Sequence, residues 1–145
     1  NSGDHSLNNV IKLAPKICTR KFILWTHVTS PLFNSHCYFE FIKSFFKNKT
    51  SRSAFSADLI QKFLYQKDKK WISHNKKKNK WPRSQDLKPT FVANSAAFIA
   101  NRKTYIHTND RLCDDPLPII SKGNTGYDVD NKDDFQSLKK IKIKI

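Results

Sequence analysis

Apolar positions in this chain fall into a few compact runs separated by polar, proline-bearing stretches. Val10, Ile11, Leu13 and Ile17 recur at near-helical spacing, and Pro15 predicts that the helix is short or broken. Residues 21–28 (KFILWTHV) are apolar on both faces over a strand's length, the pattern of a buried parallel strand, which Pro31 stops just after Thr29 and Ser30. A helix is predicted from about Ser35 to Phe46, with Phe39, Ile42, Phe45 and Phe46 on its inner face. Residues 53–56 form a short strand candidate, and Leu59, Ile60, Phe63 and Leu64 a further apolar patch. Residues 90–99 read as a strand whose Ser95, Ala96 and Ala97 permit close backbone approach. A turn and short helix are expected over 101–105, a short strand over 116–120 and a glycine-bearing loop over 122–126. The last strand is predicted at 127–130, followed by a turn at 131–134 and a short helix from near Asp133 that turns Phe135 and Leu138 inward. The tail, 139–145, alternates Lys and Ile and fits either an edge strand or the end of a helix. Strands alternating with helices predict the α/β class.

Composition narrows the picture. A chain of 145 residues, 38% hydrophobic with eleven Phe, holds one domain at most and folds around a core. No apolar run is long enough to cross a bilayer and no signal peptide is visible, so a cytoplasmic protein without membrane partners is expected. Three widely spaced cysteines without a CxxC pair fit a reducing compartment. The chain contains no Met and starts at Asn1, which is read as an N-terminal truncation or a fragment.

The net charge of +15 calls for an anionic partner class or a solvated excursion. Much of it lies in 67–83 (KDKKWISHNKKKNKWPR), where Trp71 and Trp81 between basic residues could stack on bases while the lysines neutralise phosphates. The alternative is a lysine-rich surface segment. Seven aspartates crowd the last third (Asp110, Asp114, Asp115, Asp128, Asp130, Asp133 and Asp134), which a nucleic-acid surface would not use, so nucleic acid is not the expected partner. The chain has no internal repeat and no GxGxxG, Walker, HExxH or GxSxG motif. Its five histidines share no metal-like spacing, and only His27, just before the strand-end hydroxyls, stands out.

If 127–130 is extended, Asp128 and Asp130 leave one face together while Val129 turns the other way. Two carboxylates that close favour a cation between them, and oxygen ligands suit a hard ion such as Mg²⁺. The alternative is that these aspartates cap a helix or sit on a solvated loop.

Four segments, WTHVTSPL at 25–32, PRSQDL at 82–87, ANSAAFI at 93–99 and YDVD at 127–130, together resemble the acylneuraminate cytidylyltransferases, the CMP-sialic acid synthetase family, in order and over roughly residues 20–140. The resemblance implies a Rossmann-like nucleotidyltransferase sheet with flanking helices and a dimerisation arm. The whole chain, 1–145, would be a single partial domain, with the arm inside about 50–100. It implies a homodimer that couples CTP to a nine-carbon sugar acid, releasing pyrophosphate with Mg²⁺. His27, Thr29 and Ser30 would then line the sugar pocket, although the family's usual Gln-Pro-Thr-Ser-Pro is here His-Val-Thr-Ser-Pro. Arg83, with Gln85 on the same arm, would meet the substrate carboxylate, and Lys62 would assist with anionic groups. Asn94 matches the Asn of the family's Asn-Gly-Ala, with Ser95 in place of Gly, and Asp128 and Asp130 match its metal-binding, catalytic pair.

The family's glycine-rich basic loop, which holds the CTP phosphates, has no counterpart here, since the three glycines stand at 3, 123 and 126. The chain is therefore expected to carry the sugar, dimer and metal portions and to show no CTP turnover by itself. Two rivals remain: a small basic nucleic-acid-binding module using 67–83, and a non-catalytic remnant.

Overall fold

A computed structural model describes residues 7–141, so the end of the Lys/Ile tail, 142–145, lies outside the described residues. Within them the chain forms α1 (Leu7–Ile17), β1 (Phe22–Thr26), α2 (Ser35–Lys47), β2 (Ser53–Ile60), β3 (Tyr65–Gln66) and β4 (Lys70–Trp71). A single 3-10 turn (Ser84–Asp86), β5 (Thr90–Asn101), α3 (Arg102–Thr108), β6 (Leu117–Ile120) and α4 (Lys132–Leu138) follow. The contacts divide into two compact units, one made of Asn1–Ala57 with Ala93–Ile145 and the other of Asp58–Val92. No helix of the described residues is long and apolar enough to cross a membrane.

The first unit is built on a four-stranded mixed sheet in the order β1-β5-β2-β6. β1 pairs antiparallel with β5, Trp25 standing opposite Phe98, and β2 pairs parallel with β6. Asn101 N donates to Arg52 O at 3.3 Å and Ala97 N to Ser56 Oγ at 2.9 Å, so partners on β2 step backwards as β5 advances. β1, β2 and β6 therefore share one direction and β5 runs against it. Their carboxyl ends gather at one edge of the sheet.

Each face of the sheet has its own cover. On one, Phe33, Phe41 and Phe45 close over Ala54, Ala97 and Ile99. On the other, Ile11 of α1 and Tyr105 of α3 pack on Ile23 and Ala100. Ala54, Ala57, Ala96, Ala97 and Ala100 are fully buried, so small side chains on the central strands let the helices approach closely.

Several expectations are corrected. The run at 21–28 was expected to be a buried parallel strand, but β1 is an outer strand whose neighbour is antiparallel. Helices on both faces, with Phe22 against the α2 cluster and Ile23 against α1, account for an apolar pattern that does not report strand direction. α1 is short, as expected, but does not break at Pro15, which lies buried inside the helix near its end. The proline forgoes one helical N–H bond, while its carbonyl and that of Cys18 accept from Arg102 Nε at 2.8 and 3.0 Å. α2 turns Phe41 and Phe45 inward, and the supposedly inner Phe39 and Phe46 are 61% and 52% exposed. Residues 127–130 are irregular and belong to no strand, α4 starts at Lys132, and Phe135 faces outward beneath Lys139 Nζ, 4.7 Å from its ring centroid.

In the second unit, β3 and β4 form a hairpin turned through Lys69, whose φ is +68°. Trp71 packs edge-on to Phe63 and Trp81 at 6.2 and 5.7 Å between ring centroids, with His74 5.3 Å away. Gln61 Nε2 donates to the carbonyls of Gln85 and Leu87, both at 2.9 Å, and fastens the loop around the buried Leu87. Trp71 thus takes part in this unit's own packing, while Trp81, in ring contact with Trp71 and Phe63, is 66% exposed. Beside them, Lys69, Lys70, Lys76 and Lys77 line an open groove with Trp71 and His74.

Candidate functional site

The carboxyl edge of the sheet is where open α/β sheets hold ligands, and most of the predicted site residues of the first unit stand there. β1 leads into His27, whose Nε2 accepts from Trp25 Nε1 at 3.0 Å and meets Arg111 Nη1 at 3.1 Å. Two donors on Nε2 fix the neutral ring with its proton on Nδ1. Burial, then the Arg111 charge, hold the His27 pKa below its ordinary value, and the Asp128 carboxylate opposes them. Val28 projects into solvent, the chain turns through Ser30 N to His27 O at 3.4 Å, and Phe33 N closes back on Ser30 O at 3.1 Å. Ser30 is 3% exposed, and its Oγ has no hydrogen-bond partner among the described residues.

The aspartate pair reaches this edge through one bond: Val129 N donates to Thr29 O at 2.9 Å. Asp128 is partly buried, with Oδ1 accepting from Val129 N at 3.1 Å, and Asp130 is exposed. Neither forms an ion pair among the described residues. The capping role falls to their neighbours: Asn131 Oδ1 accepts from Asp133 N and Asp134 N, and Asp134 Oδ2 accepts from Asn131 N. Asp134 Oδ2 also accepts from Asp130 N at 3.1 Å, which ties the pair to the start of α4. Among the described residues no three His, Cys, Asp or Glu side chains gather as a metal-ligand cluster. Asp128 and Asp130 still supply oxygen donors of the kind Mg²⁺ takes, commonly one or two from protein and the rest from phosphate and water.

Asn94 sits on β5 near the same edge, 8% exposed, with Nδ2 donating to Ser121 Oγ at 2.9 Å just past β6. Its Oδ1 accepts from Ala96 N at 3.4 Å across Ser95, whose φ is +62°. A left-handed serine is strained by about 1–2 kcal/mol where glycine is not. Ser95→Gly is therefore expected to stabilise the protein by about 0.5–1 kcal/mol, after glycine's own strand penalty, as a raised urea midpoint. A lowered midpoint would show that the Ser95 side chain contributes more than its backbone costs.

Arg83 and Gln85 belong to the second unit. Arg83 is exposed, and its fork is closed on Asp86, Nε to Oδ2 at 2.9 Å and Nη2 to Oδ1 at 3.1 Å, which raises its pKa. Gln85 is exposed and engages Gln61 through its carbonyl. Lys62 is exposed in the same unit.

Two features escaped the sequence. Arg111 covers the strand pair, its Cζ 3.5 Å from the Phe98 ring centroid and 5.7 Å from that of Trp25. A cavity of about 370 Å³, the size of a small-ligand pocket, lies between α2 and the end of β6 and is lined by His36, Cys37, Glu40, Ser121 and Lys122. Its one sequence signal was the glycine-bearing loop that follows Lys122. No family model matches this sequence, and no curated protein matches it significantly.

Proposed function

We propose that this chain carries the sugar-acid, dimer and metal portion of a cytidylyltransferase that joins CTP to a sialic-acid-like sugar acid, giving the CMP-sugar and pyrophosphate. The observation that carries the reading is the bond from Val129 N to Thr29 O, which draws the aspartate pair beside the strand-end hydroxyls. The sheet is read as part of a Rossmann-like nucleotidyltransferase fold, and 50–100 as the segment holding the arm of a homodimer.

In this reading a sugar hydroxyl oxygen attacks the α-phosphorus of CTP in line, its proton passes to solvent, and the bond to pyrophosphate breaks. The protein contributes position and charge compensation. Thr29 and the unpartnered Ser30 Oγ offer hydrogen bonds to sugar hydroxyls, and His27 offers a fixed Nδ1–H donor. Asn94 and Ser121 brace the neighbouring backbone. Arg83, with Gln85 on the same arm, would leave Asp86 and meet the carboxylate of the sugar acid held by the partner of the homodimer. Asp128 and Asp130 would hold Mg²⁺, which when bound supplies positive charge to the phosphate oxygens.

The test is calorimetric titration of Mg²⁺ or Mn²⁺ into this chain. Binding is expected in the native chain and weakened more than about tenfold in Asp128→Asn, since losing even an outer-shell partner costs a metal site that much. Asp133→Asn, on the exposed first turn of α4, is expected to bind as the native chain does. Equal loss in both variants, or no binding at millimolar metal, would remove the metal role and the reading with it.

A further inference from the structure

Arg111 carries an anion requirement that its surroundings leave unmet. Its guanidinium carbon stands 3.5 Å over the centre of the Phe98 ring, which blocks one face of the fork and offers its N–H donors no acceptor. Of the five donors, the hydrogen bonds of the described residues use one, on Nη1, and its acceptor is the neutral imidazole of His27. Three ion pairs occur among the described residues, Lys43–Glu40, Lys70–Asp68 and Arg83–Asp86, all at exposed side chains. Arg111 is more buried than these and has none.

The groups facing Arg111 do not replace a carboxylate partner. Tyr105, from α3, is buried with a pKa pushed up to about 12, so its hydroxyl is neutral, and it has no hydrogen-bond partner among the described residues. Asp110 is exposed, and its Oδ1 accepts from the backbone N of Arg111. Asp128 acts on His27 and has no resolved influence on Arg111. Burial pushes the Arg111 pKa below its ordinary value, with Tyr105 and Asp110 opposing it. A charge taken partly out of water without a counter-charge is costly, and an arriving oxyanion would recover that cost. The contrast with Arg83, already closed on Asp86 in water, is direct.

We infer that Arg111, stacked on Phe98 and braced by His27 and Trp25, is an oxyanion-binding residue that takes a carboxylate or phosphate group of a small ligand. This goes beyond the proposed nucleotidyl transfer and does not require the metal pair. Trp25 reports on the site because its Nε1–H shares His27 Nε2 with Arg111.

The experiment is NMR of the whole chain labelled at arginine and tryptophan side-chain nitrogen. One arm adds pyrophosphate and the other N-acetylneuraminate, at ionic strength held constant with chloride. Concentrations run to about 20 mM, which largely fills even a millimolar site. A saturating shift of the Arg111 Nε–H and Trp25 Nε1–H signals in either arm supports the inference, and the responding arm identifies phosphate or carboxylate as the ligand chemistry. Arg111→Gln is expected to weaken that binding roughly ten- to hundredfold, the range for a charged hydrogen bond, while Arg20→Gln, at an exposed position before β1, leaves it unchanged. Should Arg111→Gln not fold, the native titration decides alone. No saturating shift in either arm, or binding kept undiminished in a folded Arg111→Gln, overturns the inference. Metal binding without anion binding would leave the proposed function standing and this inference refuted. Anion binding without metal binding would do the reverse.

Discussion

Phe41→Ala is expected to cost about 3–5 kcal/mol, the range for removing a large aromatic side chain from a packed core. Phe41 is 2% exposed and packs in one cluster with Phe45, Ala54, Ala97 and Ile99, its ring edge-on to Phe33 at 6.3 Å. The facing alanines have no side chain to swing into the gap, so the cavity stays open and the loss falls near the top of that range. Against a typical total stability of about 5–15 kcal/mol, this variant would be partly unfolded at room temperature or close to it. Phe39→Ala is the matched control. Phe39 is 61% exposed two residues away, and its replacement is expected to stay within about 0.5 kcal/mol. Chemical denaturation of the three proteins checks this, and a larger loss from Phe39→Ala would reverse the orientation of α2.

That pair of residues also shows what sequence pattern can and cannot settle. The helix at α2 was legible from an apolar run of helical length after Pro31, and the structure adds its cap, the Asn34 side chain accepting from Cys37 N. Its phase was not. Tyr38, Phe39, Phe41, Ile42, Phe45 and Phe46 span an arc of about 160° at 100° per residue, wider than the stripe a helix needs to face a core, so the period leaves open which side of the arc turns inward. The same ambiguity hid the direction of β1. A strand covered by helices on both faces is apolar throughout whether its neighbour is parallel or antiparallel, and direction is carried by backbone bonds that leave no trace in side-chain type.

The candidate site was legible only where its residues are local. His27, Thr29 and Ser30 follow one strand, and Asp128 and Asp130 stand two apart, so short segments carried them. The final helix was visible too, its start at Lys132 one residue from the expected one, and the turn assigned to 131–134 is its first turn, capped by Asn131 with Asp134 three residues on. Arg111 had no such signal. Its environment is assembled from Trp25, Phe98 and His27, two of them paired across strands more than seventy positions apart, and a single arginine in an aspartate-rich stretch looks like a solvated charge. Arg83 shows the converse: a motif drew attention to it, and the structure gives it an exposed local partner in Asp86.

Arg102→Ala is the second large effect expected, a loss of about 2–3 kcal/mol concentrated on α1. Arg102 Nε donates to both Pro15 O and Cys18 O, carbonyls at the end of α1, and so places a cation at the negative end of that helix. Hydrogen bonds to a charged group are worth about 1.5–3 kcal/mol, and the substitution also strands partly buried carbonyls. α1 is eleven residues long, carries Pro15 and leaves Leu7, Val10, Leu13 and Ile17 largely exposed. A helix so short is marginal alone, so its persistence depends on docking against α3 and the sheet through Ile11, Ala14 and Arg102. Hydrogen exchange is the sharper readout. In Arg102→Ala the α1 amides are expected to lose protection while those of α2 and β2 keep theirs in proportion to global stability. Arg102→Lys keeps the charge without the planar fork and is expected to recover only part of the loss. Uniform loss of protection across the sheet would mean that α1 unfolds only with the whole unit. Unchanged protection in α1 would mean that Ile11 and Tyr105 hold the helix without Arg102.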